Sequence, residues 1–588
     1  DLRRSRGLGD VYKRQIAVSI GGMLSGIFVL PGLAVGITGS SVWLAFLVAA
    51  LCILPAVLSK SELGTAMPKS GGTYVYIERA FGPLFGTIAG IGLWLSLLLK
   101  SAFSLVGLSA YLYVVVNIDE AYTKAIALLA LLLIFLLNVF GLKKVEKTQL
   151  FIVSTSIISL IVIIALGLTS FDTKLTEPVF SDGTNGFIAG VAFLYISYAG
   201  VTKIAAIAGE ITNPSKNLPL TMIISLFLIT TIYCLVALAL VGNVEASILA
   251  TDIKPIHTLF QTIGGDTFGL IAGVVGALTL LSMANSGVLA SSRFPFAMSK
   301  DGLLPSYLAG INSKFMTPVS AILTTSTLIA LAIIFLDVVK IAKLASAFKV
   351  LMFIFNELTV IVLRETNAQW YKPTFKSPMY PYVQIFGILS GIVLLAFLGV
   401  MPVVSVIGVV ILGFLIFLVY GSKSDRSGVA SSYGILSFFR KDASKIREYS
   451  EERDNTEDAI TTKAEVVVPL LGEETSPETL VEMAAALKST NEVQAFDITE
   501  VPNQTDSSVF MEDSPESTSL KRRIKRLSDS KDLNVGFEAV VTYELSQTIN
   551  KLSSQESCEW LVMGWGARPN SGIFISNPIG WLLSLIHI

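Results

Sequence analysis

Twelve stretches of this chain are apolar over the length of a bilayer or close to it. They fall at about 16–37, 41–58, 84–116, 122–141, 148–170, 186–210, 218–242, 267–298, 317–336, 338–363, 382–400 and 403–420. A helix needs about 20 apolar residues to cross the hydrocarbon, and lipid offers no partners for an open backbone. Each stretch therefore reads as a membrane-crossing helix. With 53% hydrophobic and only 15% charged residues, a soluble globular chain is excluded. The expected fold class is an all-α polytopic membrane protein with twelve transmembrane helices. A polar segment of different character follows.

The first span should not be a clean helix. Its middle reads Gly21-Gly22-Met23-Leu24-Ser25-Gly26-Ile27, and each glycine costs a helix about 1 kcal/mol relative to alanine. A break at mid-membrane leaves free N–H groups on one half and free carbonyls on the other. Together these suit a zwitterion, carboxylate to the first and ammonium to the second. The alternative is a glycine-rich helix packed tightly on a neighbour. Span 6 supplies a second candidate break, Tyr195-Ile196-Ser197-Tyr198-Ala199-Gly200-Val201-Thr202-Lys203. Five crossings separate the two, as in an inverted repeat of five plus five. Interrupted segments at matching positions point to a transporter's binding site.

Loop charge sets the orientation. Loops after even-numbered spans hold twelve basic residues, among them Lys60, Arg79, Lys216 and Arg364, against four on the other side: Lys124, Lys174, Lys254 and Lys340. That bias predicts both termini in the cytoplasm of a cell-membrane protein. Three scattered cysteines (Cys52, Cys234 and Cys558) and two histidines make no metal or disulfide pattern. No nucleophile–base pair appears in the spans, so an enzyme is disfavoured, and nothing suggests a nucleic-acid partner. Residues 1–15 and 584–588 read as translated adapter sequence.

Several stretches together resemble the amino acid–polyamine–organocation permeases, whose fold is that of the bacterial leucine transporter. They are Ser25-Gly26-Ile27-Phe28 with Pro31-Gly32, Pro68-Lys69-Ser70-Gly71-Gly72-Thr73-Tyr74, Tyr198-Ala199-Gly200, Asn213-Pro214-Ser215-Lys216 and Ser299-Lys300-Asp301-Gly302. They cover spans 1 to 8 in order. The resemblance implies spans 1 to 10 as a five-plus-five transport core with broken helices 1 and 6. It implies that Ser25, Gly26 and Ile27 offer N–H groups to a substrate carboxylate. Carbonyls of Gly21, Gly22, Ile196, Ser197 and Ala199 receive the ammonium, beside Gly200. The chain departs from the pattern at Leu24, where a glycine is usual, and at Thr202, where relatives often carry glutamate.

Charges within the spans come next. Lys100 lies near the centre of span 3 on a small or polar stripe with Ser96, Ser104 and Tyr111; Lys203 follows the span 6 break. An ionisable residue at mid-bilayer has a partner or a function by default. Either lysine is a candidate proton carrier, or else a fixed ammonium bonded to the carbonyls of a broken helix. Lys349 and Glu357 in span 10 read as spacer residues at the two faces. Some proton-coupled relatives place a lysine in span 5, where alignment gives Ser156; Ser282, Asn285 and Ser286 in span 8 leave a sodium ion open as the alternative to a proton.

After residue 421 a charged linker runs to about 462, and the segment 463–583 alternates strand and helix patterns as a parallel α/β domain. Leu561-Val562-Met563-Gly564-Trp565-Gly566 at a strand end resembles universal stress protein domains fused to such permeases. Their nucleotide-cradling glycine-serine pair is replaced by Ile575-Ser576-Asn577, so no cofactor is expected and a nucleotide is doubtful. The overall expectation is a secondary active transporter (residues 16–421) moving amino acids, neutral and proton-coupled, with a regulatory cytoplasmic domain. The rivals are a membrane amino acid sensor, an exchanger or a sodium-coupled carrier.

Overall fold

In the computed structural model the apolar runs are mostly helical where they are described. The structure describes residues 20–564 except 68–72, 117–121, 141–144, 178, 182, 212, 313–314, 367, 424–427, 430–463, 473, 475, 488–491, 502–514, 543–544, 554 and 556. Residues 1–15, the charged linker beyond 430, the 68–72 part of the loop motif, Gly566, 575–577 and 584–588 lie outside the described residues.

The membrane helices are α1 (Ser25–Thr38), α2 (Val42–Ala66), the short α3 (Tyr74–Phe81), α4 (Pro83–Val116), α5 (Thr123–Val139), α6 (Val145–Thr169) and α7 (Gly183–Leu194). After α7 the chain continues as a 3₁₀ helix, Tyr195–Glu210. Then come α8 (Pro214–Val241), α9 (Pro255–Lys300), α10 (Val319–Phe335), α11 (Val338–Glu365), α12 (Tyr382–Phe397) and α13 (Val400–Val419). Among the described residues eight stretches are long and apolar enough to cross a membrane, and α5, α10 and α12 are shorter apolar helices. The first of the eight, Ser25–Ala66, joins α1 and α2 through the 3₁₀ turn Gly39–Ser41. α9 is interrupted at Gly265, whose φ of 75° only glycine adopts readily.

Burial separates the inner helices from the outer ones. The apolar window of α4 is 89% buried and that of the Gly183–Ala205 span 78%, against 28% for α6 and 22% for α13. α4 lies along α9, close enough that a Cβ on Gly276 would meet the Tyr111 ring at 2.4 Å. α2 extends past the expected end of the second run to Ala66, so Lys60, read as a loop residue, is 1% exposed inside it.

The described chain divides into two units. The first holds nearly all the membrane helices; the second comprises Arg79–Gly82, Val362–Lys372 and Asp425–Ile588. In the second, β1 (Val466–Leu470), β2 (Val493–Glu500), β3 (Val535–Thr542) and β4 (Trp560–Leu561) form a parallel sheet in the order β3-β2-β1-β4. Its helices are α14 (Pro477–Ala486), α15 (Pro515–Lys531) and α16 (Leu545–Ser553). β1 alternates between two cores, Val466, Val468 and Leu470 against Val481 and Ile524, and Val467 with Phe496, Ile549 and Leu552. A parallel strand covered on both faces is apolar throughout, which explains the run of valines. The Arg523 guanidinium, hydrogen-bonded to Glu478, holds that carboxyl below its usual range. Gln369 caps the strand ends, donating to Leu471 O at 2.6 Å and Ile498 O at 3.2 Å.

Candidate functional site

The first span does break. Helix ends at Gly21, Gly22-Met23-Leu24 is a turn, and α1 starts at Ser25. Leu24, where the resembling family has glycine, lies inside that turn and is fully buried. Span 6 breaks by another route, changing from α to 3₁₀ winding at Tyr195 and keeping it through Glu210. Runs of 3₁₀ helix beyond three or four residues are uncommon, since their hydrogen bonds are poorly aligned. Within this winding Gly200 packs directly on the backbone of span 1.

The two breaks touch. A Cβ on Gly200 would lie 2.2 Å from both C and O of Gly22 and 2.7 Å from Met23 N; one on Gly26 would lie 2.7 Å from Ser197 Cβ and Oγ. Side chains from other spans bind the exposed carbonyls. Lys100 Nζ donates to Gly22 O at 3.0 Å and to Ile196 O at 3.2 Å. Tyr233 OH donates to Met23 O at 2.6 Å, and Tyr111 OH to Phe28 O at 2.7 Å. Tyr198 OH reaches Phe46 O at 2.9 Å.

The donor side is less occupied. Gly26 N–H turns back on Met23 O at 3.0 Å. The hydroxyls of Ser25 and Ser197 are both fully buried with no hydrogen-bond partner. A buried hydroxyl without a partner costs free energy unless something fills it. The break thus offers unspent hydroxyls on one side and carbonyls on the other, two of them on the Lys100 ammonium. An α-ammonium arriving at Gly22 O and Ile196 O must displace Lys100.

Of the expected ligands, the structure brings Gly22, Ser25, Gly26, Ile196, Ser197 and Gly200 together at the crossing. A Cβ on Gly21 would instead face span 5, 2.9 Å from Val153 Cγ2 and 3.5 Å from Gln149 Nε2. The ion candidates are dispersed. Ser156 is hydrogen-bonded to Thr279 at 2.5 Å, Asn285 Oδ1 accepts from Asn138 at 2.9 Å, and Ser286 donates to Met283 O at 3.1 Å. Ser282 and Lys203 are half-buried.

Two residues read as spacers are buried instead. Lys349 is 3% exposed, with its Nζ 3.4 Å from Thr202 Oγ1; Glu357 is 1% exposed and accepts from Ser59 at 2.6 Å. Both belong to the interior because α11 packs inside the bundle, and a lone charge in an apolar run does not reveal that. The tyrosine clamps on spans 3 and 7 and the buried Lys60 were also missed. For Lys60 and Lys349 the available signal was an ionisable side chain within hydrophobic sequence.

A family model described as "Amino acid permease" matches residues 13–432, more than half of the chain. The chain belongs to the amino acid permease family. This permease is 26% identical over 443 residues to the branched-chain amino acid permease BcaP of Bacillus subtilis, covering 72% of this chain and 94% of that one. It is 28% identical over 440 residues to BcaP of Lactococcus lactis, covering 70% and 94%. The serine/threonine exchanger SteT of Bacillus subtilis is 28% identical over 406 residues, covering 66% and 89%. The permease is accordingly a multi-pass membrane transporter and not an enzyme.

Proposed function

We propose that this permease is a secondary active transporter that carries neutral amino acids across the cell membrane by alternating access at the crossed breaks. The observation that carries the reading is the contact of Gly200 with Gly22 beside the unpartnered hydroxyls of Ser25 and Ser197. Its helices would make twelve crossings, two inverted halves of five plus a peripheral pair, with both termini cytoplasmic. The printed names of the relatives, branched-chain amino acids and serine/threonine, support a neutral substrate.

Charge supports the exclusion of cations. Lys203 belongs to the 3₁₀ segment of the break, and the Lys100 ammonium lies on Gly22 O and Ile196 O. Two unit charges about 6 Å apart repel by about 2.8 kcal/mol at an effective dielectric of 20, roughly a hundredfold in affinity. Arginine, lysine and polyamines are therefore expected to compete poorly. The dispersal of Ser156 and Asn285 onto Thr279 and Asn138 supports a proton rather than sodium as coupling ion.

Uptake of labelled amino acids by the purified full chain in liposomes tests both points. Accumulation should follow an inward proton gradient and be competed by neutral amino acids. Lys203→Met should remove the pH dependence; Lys203→Arg, which does not deprotonate, should stall the cycle with binding retained. Sodium-driven uptake with Lys203→Arg fully active would sink the coupling, and tight arginine binding would sink the charge argument.

The second unit is read as a regulatory domain resembling universal stress proteins. A chain ending near Ser422 should still exchange substrate in liposomes, at altered rate. Complete loss of exchange from a folded, inserted protein of that length contradicts a purely regulatory role.

A further inference from the structure

Four lysines on four spans lie in or beside the break region, and the transport reading gives no task to two of them, Lys60 and Lys349. Lys60, Lys100 and Lys349 are 1%, 5% and 3% exposed, and Lys203 is half-buried. Phe353 fixes two of them in space: its ring centroid is 4.7 Å from Lys349 Nζ and 5.8 Å from Lys60 Nζ. Lys349 Nζ also reaches the Thr202 hydroxyl, one residue before Lys203, at 3.4 Å.

None of the four lysines makes an ion pair among the described residues, and Lys60 and Lys203 have no hydrogen-bond acceptor there. Glu62 accepts from the Ser377 N–H at 2.7 Å and Glu357 Oε2 from the Ser59 hydroxyl at 2.6 Å, while Glu357 Oε1 is buried without a hydrogen-bond partner and makes no ion pair with a lysine among the described residues. Only Lys100 has two carbonyls. Buried cations persist when an opposite charge and hydrogen bonds compensate the lost water. A zwitterionic substrate adds no net charge, so it leaves this imbalance in place. The fully buried, unpartnered hydroxyls of Ser25 and Ser197 at the adjoining break show that the surroundings also await a hydrogen-bonding group.

We propose that Lys60 and Lys349, around Phe353 and the Thr202 hydroxyl, form an anion seat that takes a halide or a carboxylate. Its place beside a substrate site rests on the transport reading; the seat itself does not. Bound there, the anion would compensate cations on spans 2 and 10 and tie them to the Thr202 hydroxyl of span 6.

Binding of radiolabelled chloride to the purified full chain tests the seat without any substrate. Chloride should bind saturably, and the pair Lys60→Gln and Lys349→Gln should abolish that binding, with circular dichroism reporting retained fold. If the occupant is instead a carboxylate carried by the substrate, chloride will not bind, and glutamate or aspartate will displace a labelled neutral amino acid. That displacement should weaken about tenfold or more in Lys349→Gln. Single Lys349→Met provides a second variant should the pair fail to fold. Neither chloride nor acidic amino acids binding to the wild-type protein overturns the seat. Chloride binding with no amino acid binding overturns the transport reading alone.

Discussion

Alanine in place of Gly200 is expected to abolish substrate binding and to cost the membrane unit much of its stability. The added Cβ would stand 2.2 Å from C and O of Gly22 and 2.7 Å from Met23 N. All three are backbone atoms, so no flexible side chain can swing aside. Overpacking a core costs about 1–3 kcal/mol where neighbours can adjust, and the upper end or beyond applies where they cannot. Spans 1 and 6 must separate, which dismantles the crossing. Gly408→Ala in α13 is the control, because a Cβ there meets nothing within 4 Å. Thermal melting and labelled amino acid binding in detergent read both variants. Wild-type melting and binding in Gly200→Ala would mean that the breaks do not depend on this contact.

Lys100→Met is expected to produce a second large effect, of a different kind. The lysine supplies both Gly22 O and Ile196 O with a donor. Methionine fills comparable volume but leaves two buried carbonyls unsatisfied, each costing about 1–3 kcal/mol. The variant should melt several degrees lower than wild type. Saturating amino acid should then raise its melting temperature by more than it raises that of wild type, because the substrate ammonium can occupy the vacated seat without displacing a side chain. An unchanged melting temperature would show that Lys100 is not holding the breaks. A substrate shift no larger than in wild type would show that the ammonium binds elsewhere.

Much of this was legible in the sequence, and the rest was hidden for identifiable reasons. Span 1 announced its break through Gly21, Gly22, Ser25 and Gly26, since that many poor helix formers have no place mid-span without a task. The turn itself falls on Gly22-Met23-Leu24, and the departure at Leu24 did not prevent it. The break in span 6 was readable from Ser197 and Gly200. Its long 3₁₀ winding was not, because α and 3₁₀ helices share composition and differ by the contacts that hold them.

Two positions depended on local geometry that a sequence does not carry. Ser156 came from alignment to relatives, yet Val153 and Gln149 face Gly21 and Ser156 is bonded to Thr279 in α9. That is a helical turn's difference, which rotation of α6 decides. Lys60 was assigned to a loop because the apolar run ends near 58, whereas α2 continues to Ala66. The parallel sheet was read from apolar strands alternating with helical patterns, which a sheet covered on both faces requires.

The central claim is that substrate sits at the crossing of the breaks and is reached from alternate sides. Cysteine at Ser25, in a chain whose Cys52, Cys234 and Cys558 are replaced by serine or alanine, tests it directly. Ser25 is fully buried here and its hydroxyl is unpartnered. During turnover the cysteine should react with a small hydrophilic thiol reagent, and saturating amino acid should slow that reaction about tenfold or more. Reaction at the same rate with and without substrate, or complete inertness in a protein that transports, would place the site elsewhere.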